Sequence, residues 1–170
     1  MLSHFVAYAK CAGLLVVLPM AWNAVMSSRL PRAYSPEVFS SNIPGVLSKT
    51  ENTLRILVVA LPFFAPLELI SFAQKVGVAT FGVGLTVYFV SWLPLIIVPN
   101  SAWSRSAAGF LAPAYTPIVW LIGLALLMQR LHWGSPYRWW FYLVLSVGFV
   151  AAHVTHAIIV FRRVSHANSG

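Results

Sequence analysis

The sequence predicts an all-α integral membrane protein: a bundle of five transmembrane helices, most of them proline-kinked, with the N-terminus outside and the C-terminus in the cytoplasm. Three observations predict it. Hydrophobic residues make up 59% of the chain and charged residues only 8%, against about 25% charged in a soluble domain, so polar groups cannot cover a water-facing surface. The apolar residues fall into runs of about twenty, the length that crosses a bilayer. Aromatic and basic residues gather at the ends of those runs, as they do at membrane interfaces. The chain reads as one domain, residues 1–170.

The last run, residues 137–162, is the clearest span. Pro136 stands where a helix begins and no proline follows it. Trp139, Trp140 and Tyr142 mark one interface, and Arg162 and Arg163 the other. The residues after Arg163 are small and polar and read as a frayed tail.

The first run, residues 5–26, reads as a retained span rather than a cleaved leader, because it carries Lys10 and is longer than the apolar core of a signal peptide. Cys11 is the only cysteine and reads as a small buried hydrophobe. The polar loop 27–52 follows. Within it Ser35 and Pro36 suit the start of a short helix lying on the membrane surface. Ser48 and Glu51 fit a capping box that opens the second span, residues 53–74. The third span, 78–98, holds Gly82 and Gly84, which let a neighbour come close. The fourth, 107–128, repeats the Pro-x-x-x-Pro spacing of the second: Pro62 and Pro66 in one, Pro113 and Pro117 in the other.

Basic residues set the expected orientation. With five spans, Arg29, Arg32, Lys49, Arg55, Arg105, Arg162 and Arg163 fall in the cytoplasm, against Lys75, Arg130 and Arg138 outside; an excess of Lys and Arg marks the inner face. The net charge is +8 and the isoelectric point about 10.3. The basic residues are scattered over loops and helix ends and form no stripe interleaved with aromatics, so topology and anionic headgroups account for them and nucleic acid is not an expected partner.

Three acidic residues are present, Glu37, Glu51 and Glu68. Glu68 lies inside an apolar run, where a charge costs roughly 2.5–3.5 kcal/mol at depth, just after two prolines that free backbone carbonyls. His153 and His156 are three apart and share a helix face. Counting 1.5 Å per residue, Glu68 lies roughly 20 Å beyond Arg55 and His153 roughly 14 Å before Arg162. The expectation is therefore a buried Glu68–His153 pair. Ligand-binding candidates are Glu68, His153, His156 and Tyr115; Glu68 and His153 are also the acid–base candidates, with no catalytic residue assigned outright. Asn100, Ser104 and Arg105 are candidates for holding a lipid headgroup at the turn between the third and fourth spans. No metal site and no cofactor is expected. Gly148, Ala152 and His156 lie on one ridge that should pack tightly on a neighbour.

The first functional expectation is a non-enzymatic accessory or structural subunit of a bacterial inner membrane, working in the lipid bilayer with another membrane protein or with further copies of itself. The alternatives are binding or transport of a small apolar or lipid-like molecule in a polar pocket around Glu68, and a membrane enzyme using Glu68 and His153.

Overall fold

The computed structural model describes residues 10–133 and 137–167. The expected N-terminal part of the first span, the helix start at Pro136 and the last three residues lie outside them. The described residues are helical, with α1 Gly13–Met26, a four-residue α2 Pro36–Phe39, α3 Gly45–Ala60, α4 Phe72–Ile97, α5 Ala102–Arg105, α6 Ala107–Tyr115, α7 Pro117–Leu127 and α8 Trp139–Ala167. Three stretches are long and apolar enough to cross a membrane: α4, α6 with α7, and α8. This is consistent with an integral membrane protein.

The segment expected as the second span is not one helix. Its helix starts earlier, at Gly45, and ends at Ala60; Leu61–Phe64 tightens into a 3-10 turn and residues 65–71 are unwound. Pro62 and Pro66 each lack the N–H that a continuing helix needs. The unwound backbone finds partners elsewhere: Ala65 O accepts from Ala12 N at 2.9 Å, Phe64 O from His132 N at 2.9 Å, and Leu67 N donates to Lys10 O at 2.9 Å. Irregular backbone within apolar surroundings persists when it is satisfied in this way. Cys11 is buried here, opposite Pro66.

The next helix consequently begins at Phe72, opened by a capping box in which Ser71 accepts from Gln74 N and Gln74 accepts from Ser71 N. The expected box at Ser48 and Glu51 does not form, because Ser48 lies inside α3. The fourth segment breaks only at Thr116, between α6 and α7, so the two proline pairs do not produce the same local structure.

The tightest packing joins α4 to α7. A Cβ at Gly84 would overlap the backbone of Trp120, one at Gly123 would overlap the backbone of Phe81, and one at Gly77 would lie 2.9 Å from Gly123 O. Backbone thus meets backbone, as small residues allow in membrane helices. Gly82, read alongside Gly84 from the sequence, faces open space.

Helix α8 runs to Ala167, past the expected end. Trp139 and Trp140 are exposed as anchors should be. Tyr142 is not an interface anchor: it is fully buried, and its hydroxyl donates to Val58 O at 2.8 Å, tying α8 to α3. The ridge of Gly148, Ala152 and His156 faces α3, with Leu54 in ordinary contact with the Gly148 position.

Candidate functional site

The polar centre forms where α3 meets α8. Helical spacing puts Glu51, Arg55 and Val58 on one side of α3, and His153 and His156 on one side of α8. Glu51 is 2% exposed, among the most buried side chains of the protein. One carboxylate oxygen, Oε1, takes His153 Nδ1 at 2.9 Å and the guanidinium of Arg55; the other, Oε2, takes His156 Nδ1 at 2.6 Å. A buried carboxylate survives only with such compensation.

The hydrogen bonds assign the protons. His156 Nε2 faces Phe39 O at 2.9 Å. A carbonyl only accepts, so Nε2 carries hydrogen. On its other side Nδ1 meets Glu51 Oε2, so a single proton lies between the imidazole and the carboxyl group. His153 also meets the carboxylate through Nδ1, which turns its Nε2 away from Glu51, and Phe149 stacks on its ring with centroids 5.6 Å apart. A carboxylate that fixes one imidazole tautomer and frees the far nitrogen is the arrangement that prepares a histidine as a base or acceptor.

The linker between α1 and α3 roofs this centre. Arg163 donates to Ser41 O and Val38 O, His156 to Phe39 O, and the Tyr34 hydroxyl to Phe110 O at 2.7 Å. Ser35 caps α2, with Pro36 at its first position. The linker is tied to α8 and α6 through its backbone carbonyls and the Tyr34 hydroxyl. Burial raises the Tyr34 hydroxyl above its usual range.

Beneath the roof lies a two-lobed cavity. One lobe, of about 350 Å³, is lined by Leu30, Tyr34, Phe39 and Phe110 among others. The other, of about 200 Å³, reaches Val58, Phe149 and Trp120. Both lobes are walled by Asn23, Arg55, Tyr88, Pro113 and His153. The Tyr88 hydroxyl donates to Asn23 Oδ1, leaving the Asn23 amide N–H groups as donors. A mostly apolar cavity with a few convergent polar groups is the usual form of a ligand site.

The sequence candidates fare differently. His153 and His156 are brought together, but with Glu51 and not Glu68. Glu68 lies in the unwound stretch and pairs at 2.6 Å with Arg130, itself 66% exposed. The depth estimate fails because the chain is not helical from Arg55 to Glu68, so 1.5 Å per residue does not apply. Tyr115 borders a separate shallow groove with Ile118 and Val154, and its hydroxyl donates to Ala108 O at 3.2 Å. Asn100, Ser104 and Arg105 do cluster. Arg105 donates from Nε and Nη2 to Asn100 O at 2.9 and 2.6 Å, but the Ser104 hydroxyl is spent on Pro94 O and Val98 O at 3.0 and 2.9 Å. Among the described residues no group of three or more His, Cys, Asp or Glu could hold a metal ion. Glu51 and Arg55 were missed as site residues. Their spacing of four on one helix, with two histidines three apart on another apolar run, was the available signal.

Comparison with protein-family models, curated proteins and solved structures finds no match to this chain.

Proposed function

We propose that this chain is a membrane protein that binds a small amphipathic acid in the cavity between the linker, α3 and α8. The observation that carries the reading is the shared wall of the two lobes. There the Arg55 cation, the His153 imidazole and the Asn23 amide meet within otherwise apolar surroundings. A carboxylic acid complements this set: its carbonyl accepts from Arg55 and its proton goes to His153, while its chain fills the lobes. Trp120, on the wall of the deeper lobe, keeps a buried Nε1–H that has no hydrogen-bond partner among the described residues. The cavity moves binding ahead of the accessory-subunit expectation. Acid–base catalysis is the second reading, favoured by the carboxylate-oriented His153.

For the chain in the bilayer we propose five passes, with α1 and α3 as short passes beside the three long helices. The end carrying Arg105, Arg162 and Arg163 then faces the cytoplasm of a bacterial inner membrane.

Purified protein titrated with decanoic acid, decanol and decyltrimethylammonium, followed by tryptophan fluorescence, tests the binding reading. Decanoic acid should bind saturably, with affinity about tenfold weaker in Arg55→Gln and in His153→Phe, in line with loss of one charge-assisted hydrogen bond. Equal responses to all three head groups, or unchanged affinity in both variants, would mean partition into detergent and not a site.

A further inference from the structure

A second cavity, of about 440 Å³, opens between the linker and the C-terminal ends of α4 and α8. It shares Tyr34 and Phe110 with the first but none of Arg55, His153 or Asn23. Arg32 comes to it from the linker and Arg105 from α5, while Leu95, Phe110 and Phe161 make its walls apolar. Among the described residues neither arginine forms an ion pair. Of the three acidic side chains, Glu51 is engaged by Arg55 and the two histidines and Glu68 by Arg130. Glu37 stands exposed on the linker. The Asn100 carbonyl holds the Arg105 guanidinium through Nε and Nη2, which fixes its plane and leaves Nη1 for a further acceptor.

We propose that this cavity binds a phosphate ester, with Arg32 and Arg105 on its oxygens, and that the ester is the headgroup of an anionic phospholipid. Paired arginines are the usual partners of phosphate. The apolar walls directly beside them suit acyl chains, which a free phosphate lacks. Basic pockets at the end of a helical bundle take anionic headgroups in this way. The proposal does not depend on the acid-binding cavity.

The test uses the full chain in a neutral detergent, with melting temperature read against added dioctanoyl phosphatidylglycerol, dioctanoyl phosphatidylcholine or inorganic phosphate. Phosphatidylglycerol should stabilise saturably, and the concentration needed should rise about tenfold in Arg32→Gln and again in Arg105→Gln. Arg32→Gln keeps the test sound if loss of the Arg105–Asn100 bonds unfolds α5. Arg130→Gln, at a distant ion pair, should respond as the parent does. Equal stabilisation by phosphatidylcholine, or an Arg130→Gln effect as large as that of Arg32→Gln, would overturn the site. Stabilisation by inorganic phosphate at the same concentrations would overturn the lipid assignment in favour of a free phosphate.

Discussion

Glu51→Ala should destabilise the protein by about 3–5 kcal/mol, the range for removing one partner from a buried ion pair, which is roughly a 10 °C fall in melting temperature for a chain of this size. The size follows from what Glu51 holds. It accepts from the Arg55 guanidinium and faces Nδ1 of both His153 and His156, with Asn52 Oδ1 a further acceptor for Arg55 at 3.3 Å. Without it Nδ1 of both histidines loses its partner in the α3–α8 seam, and the hold of His156 on Phe39 O weakens. Glu51→Gln should fall between: it keeps the shape and loses the charge. Glu68→Gln should cost under about 1 kcal/mol, because its partner is exposed and water screens the pair. Melting by circular dichroism ranks the three variants. A ranking with Glu68→Gln most damaging would reverse the assignment of the polar centre.

Gly84→Leu should be at least as disruptive, by about 3 kcal/mol or more. Its Cβ meets the backbone N of Trp120 and the carbonyl carbon of Val119, so no side chain can swing aside to make room. Helices α4 and α7 must part, and Gly77 and Gly123 then lose their close contacts as well. Gly82→Leu, two residues away and facing open space, should stay within about 0.5 kcal/mol. Comparing the two by size-exclusion profile and melting temperature separates backbone contact from a general effect of losing glycine in a helix. Equal damage from both would refute the close approach.

These contrasts show which parts of the chain are readable from one dimension. The long apolar helix α8 is visible as a run of residues without proline, and its histidine pair as a spacing of three. The ridge of Gly148, Ala152 and His156 is visible too, because helical periodicity sets which residues share a face. The unwound stretch after Ala60 is harder. Its residues are as apolar as those of a span, and what decides its shape is two missing N–H groups and the backbone partners that compensate them. Those partners, Ala12, His132 and Lys10, come from distant positions and act through main-chain atoms, which no side-chain pattern records. The same holds for the linker, held through the carbonyls of Val38, Phe39 and Ser41. Once the second segment is taken as one helix, Glu68 is carried to the wrong depth and Glu51 is left at a helix start. Both consequences follow from a single misplaced boundary.

The most direct test of the polar centre is nitrogen NMR of the protein carrying 15N-labelled histidine, at neutral pH, with His153→Phe and His156→Phe to assign the signals. Both histidines should show Nδ1 in a strong hydrogen bond, and Glu51→Gln should shift both Nδ1 signals. Nδ1 signals that stay in place in Glu51→Gln would contradict the Glu51 centre and with it the oriented His153 on which ligand binding rests.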